Sequence, residues 1–204
     1  MKFKNIFKNK IGIIGLGYVG LPLAIEFSKK FKVYGYDLKK NRITNLKKVN
    51  NIPEIEKKNL KLLKSIKFTN NSRDLKKCDI YIITVPTPIF ANKNPDLRML
   101  LLATKTIGKM LKHKDIVIFE STVFPGTTED ICIPILEKNS KLKLFKKKRK
   151  IENGYFWCGY TPERINPSDR THLLQKTNKL VSGSSFEVSN FLKILFKKII
   201  KASV

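Results

Sequence analysis

The sequence predicts an α/β fold, a doubly wound, mainly parallel sheet with helices on both faces. Three observations predict it. Short β-branched runs alternate with longer segments of helical period, the signature of successive βαβ units. The strand candidates are mostly apolar, as is expected of strands covered on both faces. A glycine-rich turn lies directly between the first strand candidate and the first helix candidate, where such folds pass from sheet to helix.

Taken in order, strands are expected at residues 10–14 (KIGII), 32–36 (opening KVYGYD), 66–69, 80–85, 116–120, 155–159 (within YFWCGY) and 179–182. Helices are expected between them at 19–31, 41–48, 57–64, 97–111, 127–138 and 186–200. Each right-handed crossover lays its helix on one face of the sheet. Residues 141–153 read as a charged surface loop. The 204 residues, 42% of them hydrophobic, can bury one full core. A single domain over 1–204 is expected, with 1–9 as a basic extension. The last helix runs almost to Val204, so the domain reads as complete or nearly so.

The formal charge of +26 invites a nucleic-acid or acidic-surface reading. Yet only 6 of the 42 basic residues are arginine, the type that phosphate and base recognition favours. The lysines are spread over helix faces and loops, with one dense run at residues 146–150, whereas a nucleic-acid footprint is a localised stripe. Compositional drift is the preferred reading, with no nucleic-acid partner. Three cysteines without C-x-x-C spacing argue against a disulfide framework or a zinc site, and a reducing cytoplasm is expected. Basic residues 1–10 before the apolar run 11–25 resemble a signal peptide, but that run holds four glycines and a proline and meets Glu26 at once. No stretch approaches the ~20 apolar residues of a membrane span.

Gly15-Leu16-Gly17-Tyr18-Val19-Gly20 fits G-x-G-x-x-G between strand and helix, the setting in which this otherwise weak motif carries weight. Gly15 permits the tight turn, Gly17 lets a pyrophosphate approach the backbone, and Gly20 allows close helix-to-strand packing. Tyr18 and Val19 lie in the same turn, at a helix N-terminus that offers N–H groups and partial positive charge. Asp37 closes the second strand twenty residues beyond Gly17, where a carboxylate can accept hydrogen bonds from ribose hydroxyls and would repel a 2′-phosphate. NAD is therefore expected over NADP, in a Rossmann-like domain. The bland alternative is a glycine turn without a ligand.

Four collinear segments go beyond that general pattern: GLGYVGLPLA at 15–24, VPTP at 85–88, ESTVFPGTTE at 120–129 and YTPERINPSD at 160–169. Together they resemble the UDP-glucose/GDP-mannose dehydrogenase family, nearest to its bacterial UDP-N-acetylhexosamine dehydrogenases of polysaccharide biosynthesis. The resemblance implies oxidation of a UDP-sugar C6 alcohol to a carboxylate with two NAD molecules, through a covalent intermediate on cysteine. It also implies two Rossmann-like domains joined by a long helix, usually in a homo-oligomer. By position, Val19, Asp37 and Arg42 would bind the adenosine and pyrophosphate side of NAD, and Thr87 and Thr122 the nicotinamide side. Thr122 would also help to place a catalytic water, and Glu163 would be the catalytic glutamate. Arg164 would pair with phosphate or fix its loop. Read alone, Glu163 and Arg164 would be an exposed loop ion pair. Ser168 stands where the family has glycine, which would strain the loop if its φ is positive.

The family's nucleophilic cysteine lies in a Gly-Gly-His-Cys-like segment, and its assisting lysine on the connecting helix. Neither segment occurs in these 204 residues. Cys78, Cys132 and Cys158 read instead as small core hydrophobes, with no histidine neighbour to activate them. His113 and His172 are isolated, too few for a metal site or triad. The chain is thus expected to be the NAD-binding half of a UDP-sugar 6-dehydrogenase, truncated or completed by a separately encoded C-terminal half, and inactive alone. The rival readings are a non-catalytic NAD-binding module and a basic nucleic-acid-binding protein.

Overall fold

The computed structural model describes residues 9–48, 60–146, 154–163 and 177–204. Strand β1 (Lys10–Ile14) leads into helix α1 (Gly20–Ser28), then β2 (Lys32–Tyr36), α2 (Lys40–Lys48), the single turn α3 (Leu60–Leu63) and β3 (Lys67–Thr69). A 3₁₀ segment, Ser72–Lys77, precedes β4 (Ile80–Ile83). Then come α4 (Arg98–Gly108), β5 (Ile116–Phe119), a π-helical turn at Thr127–Cys132 running into α5 (Ile133–Ser140), β6 (Lys143–Leu144), β7 (Tyr155–Tyr160), β8 (Ser182–Gly183) and α6 (Phe186–Phe196).

The strands form one sheet in the order β3-β2-β1-β4-β5-β7-β6, with β8 also on β7. All pairings are parallel except β7 with β8. Chain order reverses between β1 and β4, the switch point at which open α/β sheets bind ligands beyond the carboxyl ends of their strands. The expected doubly wound architecture is therefore the observed one.

Alternation along the strands sorts the core into two layers. Ile11, Ile13, Ile80, Ile82, Ile116, Ile118 and Trp157 pack with Phe27 of α1, Ile43 and Leu46 of α2, and Phe191, Leu195 and Phe196 of α6. The intervening Ile14, Tyr81, Ile83, Val117, Phe119, Phe156 and Cys158 pack with Leu100 and Ile107 of α4 and Leu136 of α5. A strand buried on both faces reads as an unbroken apolar run because neither of its two sides meets water.

Three segments differ from the sequence expectation. Residues 141–153 are not loop throughout: Lys143 and Leu144 form β6, pairing with Tyr155 and Phe156. Lysine-rich composition hid a strand whose pairing depends on the chain returning beside it. The strand expected at 179–182 is reduced to Ser182–Gly183 and runs antiparallel. Helix 127–138 begins as a π turn after Gly126, whose φ of 86° is left-handed, and such turns interrupt the 3.6 period on which the expectation rests. Residues 49–59 and Ser168 lie outside the described residues.

Candidate cofactor and active site

The glycine turn is shaped by what a side chain would strike. Gly15 has φ of 94°, a conformation that L side chains rarely adopt. A Cβ on Gly20 would lie 1.9 Å from the Gly15 carbonyl oxygen and 2.3 Å from Thr84 Oγ1, so α1 can seat against the turn only with glycine there. A Cβ on Gly17 would meet nothing within 4 Å. The two outer glycines thus serve packing, and the middle one faces open space through which a phosphate can approach backbone. No side chain caps α1, leaving its first turn available to an anion. Thr84, at the end of β4, supports the turn from below, its hydroxyl 3.0 Å from the Ile14 carbonyl and 2.7 Å from that of Gly15.

Asp37 and Arg42 both reach this turn. Asp37 Oδ2 accepts from the Leu16 N–H at 2.9 Å, and its Oδ1 accepts from the Lys39 N–H at 2.9 Å. Arg42 Nε donates to the Leu16 carbonyl at 2.9 Å. The two side chains thus hold the Leu16 backbone, one at its N–H and the other at its carbonyl. An ionised carboxylate has about four lone-pair positions, so Asp37 can hold the turn and still accept ribose hydroxyls. Tyr18 is half exposed at the turn, whereas the Val19 side chain is buried, so any contact from Val19 would come from its backbone.

Further along the rim, Thr87 follows β4 and Thr122 follows β5, and the Thr87 hydroxyl donates to the Thr122 carbonyl. Ser121 Oγ donates to the Val85 carbonyl at 2.6 Å, tying the same two loops. The structure therefore brings together Thr87 and Thr122, which are 35 residues apart in sequence. Glu163 lies just beyond β7, in a segment held by Thr161, whose N–H donates to Phe119 O at 2.9 Å and whose hydroxyl donates to Leu180 O at 2.6 Å. Arg164 lies outside the described residues.

Two side chains at this end were not singled out from the sequence. Glu120 ends β5 and is 1% exposed; Lys179 is 5% exposed, and its ammonium forms an ion pair with Glu120 Oε1. Glu120 stands inside the ESTVFPGTTE segment, but a glutamate beside a strand end gives no sign of burial. Lys179 is one lysine among many, and only the fold shows that it points inward.

The cysteines are buried hydrophobes. Burial pushes the Cys78 thiol up to about 12 and the Cys132 thiol up to about 11, and raises Cys158 further, opposite to what a thiolate nucleophile needs. Among the described residues no group of three His, Cys, Asp or Glu is placed to hold a metal ion. No helix of the described residues is long and apolar enough to cross a membrane.

Comparison with known proteins agrees with this geometry. The model of the NAD binding domain of the UDP-glucose/GDP-mannose dehydrogenase family matches residues 9–200. A UDP-N-acetyl-D-glucosamine 6-dehydrogenase of Pseudomonas aeruginosa is 46% identical over 194 residues, covering 95% of this chain and 44% of that protein. Protein CapL of Staphylococcus aureus is 43% identical, with 95% and 44% covered. The structure of a UDP-D-ManNAc dehydrogenase of Pyrococcus horikoshii superposes with a TM-score of 0.82 at 30% identity, covering 95% of this chain and 46% of that one. The chain thus spans less than half the length of these relatives.

Proposed function

The chain belongs to the UDP-glucose/GDP-mannose dehydrogenase family, and on that premise we propose that it is the cofactor-holding part of an NAD-dependent UDP-sugar 6-dehydrogenase. The substrate class is a UDP-N-acetylhexosamine or UDP-glucose, and the product a uronic acid for surface polysaccharide. The observation that carries the reading is the Leu16 peptide, held by Asp37 and Arg42 beside an open Gly17 surface. That arrangement fits a dinucleotide: backbone open to phosphate, a helix N-terminus behind it, and a carboxylate one strand away for the ribose. NAD, when bound, supplies the hydride acceptor.

In this reading Asp37 and Arg42 orient the adenosine side, and Tyr18, Val19 and the three glycines line the pyrophosphate. Thr87 and Thr122 flank the nicotinamide side, with Thr122 placing a water. Glu163 takes and returns a proton at the sugar C6 position, as a carboxylate acting as general acid and base can. The thiol nucleophile is supplied by the half that the relatives possess beyond this match, in the same polypeptide or another. These 204 residues alone do not turn over. The enzyme works in the cytoplasm, as a homo-oligomer.

Calorimetric titration with NAD and NADP tests the cofactor assignment. NAD binds saturably and more tightly than NADP, and Asp37→Ala weakens NAD by about 10- to 100-fold, the cost of a hydrogen-bonded charged group. A folded chain that binds neither nucleotide defeats the proposal.

A further inference from the structure

Glycine gives a turn room but not direction. Gly15 and Gly17 have no Cβ to limit rotation of the peptides between them, so the way in which the turn offers its N–H groups must be set from outside. The Gly15 N–H donates to the Tyr36 carbonyl at 2.9 Å. In the next peptide, Gly15 O accepts from the Thr84 hydroxyl at 2.7 Å, while the Leu16 N–H donates to Asp37 Oδ2 at 2.9 Å. In the one after it, Leu16 O accepts from Arg42 Nε at 2.9 Å. A trans peptide is planar, with its C=O and N–H on opposite sides, so the Gly17 N–H points away from Arg42. That N–H has no acceptor among the described residues, and Gly17 is exposed.

Of the side chains that hold this turn, Thr84 is the one that the sequence motifs leave out. It stands one residue before the VPTP segment and is buried. Its own N–H already donates to the Ile14 carbonyl at 2.9 Å. The hydroxyl lies 3.0 Å from that carbonyl and 2.7 Å from that of Gly15, and it has one hydrogen to give. Gly15 O, the nearer of the two and without another donor among the described residues, takes it. A Cβ on Gly20 would sit 2.3 Å from Thr84 Oγ1, so the hydroxyl fills the angle between the turn and the first residue of α1. Without it the Gly15–Leu16 peptide would keep only its bond to Asp37.

We infer that Thr84 is a positioning residue for the cofactor phosphate: its hydroxyl holds the Gly15–Leu16 peptide so that the Gly17 N–H that follows is aimed before the anion arrives. A donor ordered in advance spares binding the entropy of arranging it. Asp37 has a second task at the ribose, whereas the Thr84 hydroxyl meets the backbone of the turn alone, so its loss falls on the phosphate. What the ligand is rests on the cofactor reading above; the holding of the peptide does not.

The test compares the unaltered chain with Thr84→Ser and Thr84→Ala, two variants that differ by one oxygen atom. Affinities for NAD, ADP and adenosine are measured by titration, and the order of the Gly17 amide by nitrogen NMR relaxation without ligand. Thr84→Ala weakens NAD and ADP by about 3- to 10-fold and leaves adenosine, which has no phosphate, within about twofold. Thr84→Ser keeps all three near the unaltered values. In the unaltered chain the Gly17 amide has an order parameter of about 0.85, as rigid backbone does, and Thr84→Ala lowers it toward about 0.6. A hydroxyl serving structure alone would weaken adenosine together with ADP, or lower the urea midpoint without changing affinity. Equal ADP affinity in the two variants, equal losses for adenosine and ADP, or a Gly17 amide already flexible in the unaltered chain would overturn the inference. The relaxation measurement on the unaltered chain decides if Thr84→Ala does not fold. The two proposals fail separately: a rigid Gly17 amide that Thr84→Ala loosens, in a chain that binds no nucleotide, ends the cofactor reading alone, and nucleotide binding that is the same in both variants ends the role of Thr84 alone.

Discussion

The glycine turn after β1 and the glutamate pair beyond β5 and β7 share the carboxyl rim of one sheet, yet one is shaped by missing side chains and the other by three charged ones. At the turn, Gly15, Gly17 and Gly20 leave space, and the charges of Asp37 and Arg42 act on the Leu16 backbone. At the other end Glu120 and Lys179 are almost wholly buried and act on each other and on the Glu163 segment. The first device is local and survives as long as two strands and a helix pack. The second needs β5, β7 and the residues before β8 to be in place together, so it is the more exposed to single substitutions.

Breaking the buried ion pair should give the largest effect. Lys179→Met leaves the Glu120 carboxyl without its counter-ion, and about 3 kcal/mol or more of stability is expected to go, read as a fall in the urea midpoint at pH 8. Below pH 6 the loss shrinks, because burial raises the Glu120 carboxyl to about 7 and a protonated Glu120 no longer needs the ammonium. Next in size is Gly20→Ala, whose new Cβ must displace backbone; about 1–3 kcal/mol is expected, together with weaker NAD binding. Gly17→Ala sharpens the contrast, since stability changes by no more than about 1 kcal/mol while NAD binding falls as the methyl group enters the phosphate approach.

An effect confined to a window of pH comes from the opposite, amino end of the strands. Asp115 is 2% exposed. It accepts from the Lys112 N–H at 2.7 Å, and its carboxylate lies 3.0 Å from the Lys112 ammonium. Burial outweighs these contacts and raises the carboxyl to about 6. A folded-state value above the unfolded one means that the folded form holds the proton more tightly, so this stability is full below about pH 4 and is lost as pH rises through about 6. Asp115→Asn should therefore flatten the fall in the denaturation midpoint over that window, by about 1–2 kcal/mol. An unchanged pH profile would show that Asp115 ionises normally.

The comparison also marks what the sequence could tell. The turn was legible because its determinants are contiguous: strand, three glycines and helix within 10–28, and Asp37 at the end of the next strand. The β1, β2, β4 and β5 cores were legible from apolar runs that no other element would carry. Glu120 and Lys179 were not, because burial of a charge is decided by partners 59 residues away and leaves no periodic trace. β6 escaped for a similar reason, its two residues being a strand only through Tyr155 and Phe156.

The arrangement around β7 has a further consequence, for how copies of this chain behave in a crowded solution. A sheet edge with unmet N–H and carbonyl groups invites another chain to add a strand. Here β6 and β8 divide the outer side of β7 between them: the Phe145 N–H takes the Phe156 carbonyl, the Ser184 N–H takes that of Cys158, and the Cys158 N–H turns to Ser184 Oγ. Two two-residue strands thus blunt one margin of the sheet, and β3, with three residues, offers little on the other. A chain so arranged has short margins to lend to a neighbour, and its lysine-rich surface adds mutual repulsion at the moment of encounter.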